Sequence, residues 1–170
     1  MGFVEFFKWV WEQFEHYILP FIIIRIYERG VLLTFGKSPK QLNPGLRLKI
    51  PFIQEIYTEI ITPDTLQGGC VHVTTADGKT ILVSPIIEYI ITDVIKWVVE
   101  TNEARTNLHD ILRSITADYL TDTTWDECKK KGTLTAIKNK MNKRIESMGA
   151  EITQKMFGDI AQNRIILTQL

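Results

Sequence analysis

Few residues in this sequence have the chemical types that catalysis needs. Adjacent positions on a helix face different directions, so His109 and Asp110 would make a poor acid–base pair. A pair between Cys128 and His109 is conceivable across two packed helices, but no oxyanion-donor motif or orienting partner accompanies it. The remaining histidines and cysteine are His16, His72 and Cys70. We therefore predict no catalytic residue and a protein that is not an enzyme.

The sequence also lacks a motif for a metal or a cofactor. Gly68-Gly69 is not followed by the Gly-Lys-Ser/Thr of a phosphate-binding loop and does not have the GxGxxG spacing. The histidines, cysteines and carboxylates do not fall at metal-ligand spacing. Two isolated cysteines are typical of small buried side chains and of a reducing compartment. We expect neither a metal nor a cofactor.

The overall composition is that of a globular chain with no attraction to nucleic acid. Its 170 residues include 20 Lys and Arg against 20 Asp and Glu, and 45% are hydrophobic. A balanced charge does not draw a chain towards nucleic acid. The charge is uneven along the chain, however. Residues 100–127 carry seven acids against two arginines, whereas residues 128–144 carry seven bases and no acid.

The first twenty residues are mostly apolar, and three interpretations compete. A signal peptide needs a basic start and a small-residue cleavage site, and both are missing. A helix that spans the bilayer needs about 20 nearly uninterrupted apolar residues, but Glu5, Lys8, Glu12 and Glu15 recur through this segment. Each such charge costs up to about 3 kcal/mol at mid-bilayer, so a lone spanning helix is disfavoured.

The spacing of these four charges predicts an amphipathic helix over residues 1–20 that lies in the membrane interface. The charges fall on one face of a 3.6-residue helix, and Pro20 ends or kinks it. The aromatic opposite face is typical of an interfacial anchor. The predicted membrane-contacting residues are Phe3, Phe6, Phe7, Trp9, Val10, Trp11, Phe14, Tyr17 and Ile18. The alternative is a helix that packs on protein, and its acidic face could meet a basic protein surface.

After residue 20 the pattern predicts strands. Phe21–Glu28 and Val31–Gly36 are rich in β-branched and aromatic residues and predict a hairpin that turns at Arg29-Gly30, followed by a polar loop over residues 37–45. Asp77-Gly78, between two further β-rich runs, predicts a second hairpin. Pro85 inside the second of those runs predicts an edge strand or a bulge.

Helical spacing begins near Asp93. Thr124 with Glu127 predicts a capping box, and Gly149 predicts the end of the helix that follows it. Residues 151–168 predict a final strand with a break at Gly158. Strands, then helices, then a strand indicate an α+β fold, in which two to three helices pack on antiparallel strands. We expect this domain to occupy residues 21–170, behind the N-terminal helix.

Four segments within residues 21–160 resemble the SPFH (band 7) family, which includes stomatins, prohibitins, flotillins and a bacterial protease-regulator pair. Glu28–Lys37 resembles the family's opening hairpin, and Leu42–Gln54 resembles its Pro-Gly-Leu…Pro-Phe signature. Thr75–Lys79 resembles the central hairpin, and Leu112–Gly149 the helical side. The resemblance is to a short form, without the long charged coiled coil that most members place after the last strand.

The resemblance implies attachment to a membrane and self-assembly into rings or cages. We expect a scaffold on the cytoplasmic face that organises a membrane patch or encloses another membrane protein, with lipid and its own copies as partners. One alternative is a regulatory subunit that restrains a membrane enzyme such as a protease. Another is a structural component of a viral or other assembly whose N-terminal helix docks on protein. A compact chain of this kind would suit a bacterial or phage genome.

The uneven charge suggests how copies of the chain would meet. If protomers associate head to tail, the acidic face of one meets the basic face of the next. The predicted acidic contacts are Asp110, Asp118, Asp122, Asp126 and Glu127, and the basic ones are Lys129, Lys130, Lys131, Lys138, Lys140, Lys143 and Arg144. Alternatively, both faces are solvated or pair within one chain, or the basic helix touches anionic lipid headgroups.

Overall fold

The fold is α+β, as predicted, and every strand pairing in the described part of the chain is antiparallel. The computed structural model describes residue 2 and residues 4–6, 8–9 and 21–162, apart from the side chains of residues 131, 155–160 and 162. The chain splits into two compact units, Met1–Ile61 and Thr62–Leu170. The domain boundary expected at residue 20 stays a prediction.

Residues 21–61 of the first unit form five short strands in two small sheets. In one sheet, β1 (Phe21–Ile24) pairs with β4 (Gly45–Leu48). In the other, β2 (Glu28–Thr34) lies between β3 (Lys37–Leu42) and β5 (Gln54–Ile60). The β2–β5 ladder runs through seven residue pairs without a register shift, so backbone hydrogen bonds hold these two strands together along their whole length.

The predicted hairpin with a turn at Arg29-Gly30 is wrong. Both residues lie inside β2, and the chain turns earlier, where the Glu28 N–H donates to the Arg25 carbonyl at 3.0 Å. A Cβ on Gly30 would lie 2.7 Å from Ile24 Cδ1, so this glycine allows close packing and does not mark a turn. The predicted polar loop over residues 37–45 is wrong as well, because residues 37–42 form β3 at the sheet edge.

The second unit is built on one long central strand. β8 (Thr80–Ile91) pairs with β6 (Asp64–Gln67), β7 (Val71–Thr74) and β9 (Ala150–Gln162). The hairpin predicted at Asp77-Gly78 is confirmed as the connection between β7 and β8. Alternate residues of β8 are buried, from its second residue to its last.

Two register shifts interrupt the pairing of β8 with β9. One lies at Pro85, so the predicted bulge is confirmed, whereas the alternative prediction of an edge strand is wrong because β8 is central. The predicted break at Gly158 is this same irregularity, since β9 continues through it to Gln162. Proline is tolerated here because a bulge removes the need for its missing N–H.

Three α-helices connect β8 to β9: α1 (Ala104–Thr121), α2 (Trp125–Cys128) and α3 (Lys131–Ile145). A π-helical turn (Lys96–Glu100) precedes them, and a 3-10 turn (Glu146–Met148) follows α3. The capping box of Thr124 with Glu127 is present at the start of α2, and Gly149 ends the 3-10 turn with φ at +75°. Both predictions from local sequence are confirmed.

The hairpin turn between β7 and β8 is joined to the start of α2. The Asp77 carboxylate accepts hydrogen bonds from the Thr75 hydroxyl and, at 3.1 Å, from the Trp125 backbone N–H, and it pairs with Lys79 at 2.9 Å. The hydrogen bond from Thr75 and the one from Lys79 hold the pKa of Asp77 well below its usual range. This carboxylate therefore ties the sheet to the helical layer.

The core of the second unit lies between its sheet and its helices. A buried cluster joins β7 and β8 to α1 and α2; it comprises Val73, Ile81, Val83, Leu120 and Cys128. Burial raises the pKa of the Cys128 thiol, whereas Cys70 is exposed at the β6–β7 junction. Cys128 is thus a small core side chain, as expected for an isolated cysteine.

Candidate functional site

Residues 21–61 of the first unit expose many more large hydrophobic side chains than they bury. Among the described residues from 21 to 61, the buried hydrophobic side chains are Ile24 and Val31. Eleven large hydrophobic side chains in the same range are exposed: Phe21, Ile23, Ile26, Tyr27, Phe35, Leu46, Leu48, Ile50, Phe52, Tyr57 and Ile60. Monomeric soluble proteins rarely expose large contiguous apolar patches, so this surface indicates a contact with lipid or protein.

The most exposed aromatic side chains of this unit stand on two tight turns. Phe35, between β2 and β3, is 74% exposed, and Phe52, between β4 and β5, is 89% exposed. Both have left-handed backbone conformations, with φ at +53° and +67°. An L-residue pays about 1–2 kcal/mol for that conformation, which glycine would avoid. Strain and exposure together at two phenylalanines point to a functional role.

Hydrogen bonds hold the two turns side by side. The Phe35 N–H donates to the Ile53 carbonyl at 2.8 Å, which joins one turn to the other. Two hydrogen bonds close the second turn: the Gln54 N–H donates to the Ile50 carbonyl, and the Ile50 N–H donates to the Gln54 side-chain oxygen. We call Phe35, Ile50 and Phe52 the apolar end of the first unit.

A second apolar surface lies beside this end. Phe21 pairs with Leu48 and Ile23 pairs with Leu46 across β1 and β4, and all four side chains are exposed. Directly opposed residues of an antiparallel pair are neighbours on one face, so these four form a continuous patch, the ribbon face. β1 begins beside the last residue of β4, just before the turn that carries Phe52. The first residue of β1 therefore lies near the apolar end.

Most of the predicted membrane-contacting residues lie outside the described part of the chain; they are Phe3, Phe7, Val10, Trp11, Phe14, Tyr17 and Ile18. Phe6 and Trp9 are described, and both are exposed, with ring centroids 6.3 Å apart. The described residues 4–6 and 8–9 are helical. No helix formed by the described residues is long and apolar enough to cross a bilayer.

The predicted oligomer contacts lie on the three helices of the second unit and in the short links between them. All five acidic residues are exposed, as are Lys129, Lys130, Lys140, Lys143 and Arg144. Lys138 is half-buried and donates to the Thr153 carbonyl at 2.7 Å, while the side chain of Lys131 is not among those described. Three of the acids have partners within the chain: Asp110 lies 3.5 Å from His109, Asp126 pairs with Lys129 at 3.9 Å, and Glu127 completes the capping box.

A groove between α1 and α3 brings the two predicted faces together. It has a volume of about 520 Å³ and is lined by Ile111, Ser114, Ile115, Asp118, Lys140, Lys143 and Arg144. Three cations thus face one carboxylate, although no ion pair within 4 Å joins them among the described residues. The groove carries an excess of positive charge that an acidic surface could neutralise.

The residues considered for catalysis are not brought together into a site. His109 lies 3.5 Å from Asp110 at the surface, Cys128 is buried, and His72 points outward from β7. Within the described residues, no group of three His, Cys, Asp or Glu side chains could hold a metal ion. The absence of enzymatic activity remains a prediction.

Sequence reasoning missed the apolar end and the ribbon face. It assigned the Phe35 segment to a hairpin strand and gave Phe52 no role. A usable signal was present: between Thr34 and Gln54 the sequence has four bases, no acid, and phenylalanine within short turns. Phenylalanine is not among the residues that dominate turns, which are Gly, Pro, Asn, Asp and Ser.

Comparison with known proteins assigns the family. Residues 22–165 match the model of the SPFH domain / Band 7 family. The chain is 30% identical over 90 residues to Protein HflC of Buchnera aphidicola, with 49% of this chain and 28% of that protein covered. It is 27% identical over 124 residues to Protein HflK of Treponema pallidum, with 61% and 38% covered.

An uncharacterized protein of Archaeoglobus fulgidus is 26% identical over 98 residues, with 55% of this chain and 39% of that protein covered. The chain therefore spans less than two fifths of the length of each of these relatives. The family match nevertheless runs through both compact units and covers most of the chain. The chain belongs to the SPFH domain / Band 7 family.

Proposed function

We propose that this chain is a membrane-associated SPFH protein whose first unit contacts the bilayer through its apolar end, and which assembles with copies of itself into a scaffold. One observation carries the proposal. Among the described residues from 21 to 61, eleven large hydrophobic side chains are exposed and two hydrophobic side chains are buried. Family membership supports the same location, since the resemblance implies attachment to a membrane.

The apolar end suits a bilayer better than a flat protein surface. Phe35 and Phe52 project from turns, so they can enter the headgroup region without burying the backbone of the strands behind them. Transfer of both rings out of water contributes about 3–5 kcal/mol. The ribbon face, which begins at the same end, adds apolar area beside them.

The N-terminal amphipathic helix is part of this proposal. Its predicted apolar face and the apolar end would occupy the same interface, because β1 starts at that end. Two weak contacts that act together bind a membrane more stably than either alone. The helix is expected to lie in the plane of the interface.

Assembly is proposed to use the charged faces of the helices. Asp110 and Asp122 are exposed on or beside α1, and the groove between α1 and α3 presents Lys140, Lys143 and Arg144. Asp126 already pairs with a lysine and Glu127 completes the capping box, whereas the contact of Asp110 within the chain is with a histidine at 3.5 Å; we therefore give the intermolecular role chiefly to Asp110 and Asp122. A heterologous contact of this kind closes into a ring when the rotation between protomers allows it.

Flotation of the full chain with phosphatidylcholine vesicles tests the membrane contact. The double variant Phe35→Ser/Phe52→Ser is expected to lower the partition coefficient by about 100-fold, which corresponds to the loss of about 3 kcal/mol. Ile60→Ser is the matched control, because Ile60 is exposed on the same unit but pairs with Glu28 at the other end of β5. It should float like the parent chain.

Equal flotation of the double variant and the parent would contradict the role of the apolar end. Failure of the parent chain to float at all would overturn the membrane proposal and favour the alternative of an assembly component whose N-terminal helix docks on protein. Circular dichroism of each variant confirms that the fold is intact.

Light scattering at low and high salt tests the assembly. Exposed charge pairs are screened beyond about 10 Å at 0.1 M salt and about 3 Å at 1 M, so particle size should fall as salt rises. Lys140→Glu/Arg144→Glu should dissociate the particles, and Asp110→Lys/Asp122→Lys should restore them when the two variants are mixed. A particle size that does not respond to salt or to either variant rules out the electrostatic contact.

A second candidate function is a regulatory subunit of a membrane enzyme such as a protease. Similarity to two separate members of the family, HflC and HflK, favours it, together with the resemblance to a family that includes a protease-regulator pair. Purification of the tagged chain from its native membrane should then recover a protease whose rate of substrate cleavage changes when the chain is removed.

A further inference from the structure

The apolar end of the first unit carries unpaired positive charge. Lys37 follows Phe35 by two residues, and Lys49 precedes Phe52 by three. From Thr34 to Gln54 the sequence contains no acid. Lys37 is exposed and Lys49 is half-buried, and among the described residues neither has a carboxylate within 4 Å.

Other charges of residues 21–61 lie further from these phenylalanines or have partners: Lys40 is exposed further along β3, where it pairs with Leu32. The Arg47 guanidinium donates two hydrogen bonds, at 3.1 and 3.2 Å, to the Asn43 carbonyl at the opposite end of β4. Glu55, the nearest acid along the chain, accepts a hydrogen bond from the Tyr57 hydroxyl. Glu28 and Glu59 lie at the far end of the β2–β5 ladder. Lys37 and Lys49 are the cations nearest in sequence to Phe35 and Phe52.

We infer that Lys37 and Lys49 make the apolar end selective for anionic phospholipid headgroups over zwitterionic ones. This inference rests on the proposed membrane contact, because insertion of Phe35 and Phe52 brings the neighbouring ammonium groups to headgroup depth. A basic residue held there strengthens binding to an anionic bilayer about fivefold. Two such residues should give a preference of about 30-fold.

Two other roles for these lysines make different predictions. Lys37 lies on the edge strand β3, where lysine also discourages pairing with another sheet. Such a role would not depend on the lipid headgroup. Alternatively, the basic residues of α3 could be the source of lipid selectivity, in which case the lysines of the first unit would contribute nothing to it.

The experiment measures one ratio for the full chain: its partition onto vesicles of phosphatidylcholine mixed with phosphatidylglycerol, divided by its partition onto phosphatidylcholine alone. The parent ratio should be about 30 at about 0.1 M salt and should fall towards 1 at about 1 M, where screening is strong. In Lys37→Gln/Lys49→Gln the ratio should fall to near 1 already at low salt.

Two matched variants complete the test. Arg25→Gln/Arg29→Gln removes the same charge from the opposite end of the first unit and should keep the parent ratio. Loss of the preference in Lys140→Gln/Lys143→Gln, but not in the Lys37/Lys49 variant, would overturn the inference in favour of α3. A parent ratio of 1 with strong binding to both vesicles also overturns it while leaving the membrane contact intact. Absence of binding to both vesicles refutes the membrane contact itself.

Discussion

The two units of this molecule distribute their apolar residues in opposite ways. Among the described residues, the second unit buries twenty hydrophobic side chains and exposes one large one, Val99. Residues 21–61 of the first unit bury two and expose eleven. The second unit can thus be stable through its own core, whereas the first is ordered mainly by its backbone ladders and leaves its apolar surface for an external contact.

This difference separates stability from function along the chain. Substitutions in the second unit should change the free energy of unfolding, and substitutions of exposed residues in the first should change binding. Four comparisons of variants test that division, and each is best measured by urea unfolding with a probe for the unit concerned.

Core truncation should give the largest effect. Leu112 is fully buried on α1. Leu112→Ala should lower the free energy of unfolding by about 3 kcal/mol, because it removes buried methyl groups and leaves a cavity. The same replacement at Leu48, which is 63% exposed on the ribbon face, should cost no more than about 0.5 kcal/mol. Similar costs at both sites would contradict the comparison between the units.

A backbone substitution in the second unit should come next. Gly149 has φ at +75°, and a Cβ there would clash with the Asp93 carbonyl oxygen. Gly149→Ala should therefore destabilise the unit by about 2 kcal/mol, from the conformation and the clash together.

Gly78 is the control for this substitution, because it has the same φ but a Cβ added to it would meet no atom within 4 Å among the described residues. Gly78→Ala should cost about 1 kcal/mol, the conformational part alone. Equal losses of unfolding free energy in the two variants would show that the clash at Gly149 is relieved by movement of the chain.

In the first unit a substitution should raise stability while it lowers binding. Phe52→Asn relieves part of the left-handed strain, since asparagine tolerates that conformation, and should stabilise the unit by about 0.5–1 kcal/mol. Vesicle flotation of the same variant should weaken. Phe21→Asn is the control: Phe21 is exposed in a regular strand, so it should yield no gain in stability. Loss of stability in Phe52→Asn would indicate that Phe52 is a structural residue.

The smallest expected effect concerns pH and Asp77. Because the pKa of this carboxyl is lowered in the folded chain, its stabilising contribution is fully present above about pH 4 and is lost as pH falls below the pKa of the unfolded chain. The urea midpoint of the parent should exceed that of Asp77→Asn at pH 7, and the gap should narrow at about pH 3.

Thr75 supplies the strongest of the hydrogen bonds that lower the pKa of Asp77. Thr75→Val is therefore introduced into both the parent and Asp77→Asn. With this substitution present, the difference between their two urea midpoints should change less with pH. A gap of constant size across this pH range would be evidence against the proposed role of the carboxylate.

Features set by neighbouring residues were predictable from the sequence. The hairpin at Asp77-Gly78, the capping box of Thr124 with Glu127 and the helix stop at Gly149 each depend on side-chain or backbone chemistry within a few residues. The family resemblance was equally readable, because its four segments keep their order and spacing.

Features set by distant partners were not predictable in this way. β1 pairs with β4, about twenty residues further along the chain. The local signal at Arg29-Gly30 instead indicated a hairpin with the next strand, so the partner of β1 was predicted wrongly. The ribbon face was missed because alternating apolar residues normally indicate a buried side, and here that side is exposed. The register of β9 against β8 shifts twice, at the two bulges, and a sequence pattern with a strict period of two cannot reveal such shifts.

The contrast between the two cysteines has a practical consequence for biophysical work. Cys128 is buried with a raised pKa, so its thiol is protected and poorly nucleophilic, whereas Cys70 is open to solvent where β6 passes into β7. A maleimide dye added near neutral pH should attach to Cys70 alone, which gives the unaltered chain one defined fluorophore position. Energy transfer between labelled copies can then follow assembly on vesicles without any substitution.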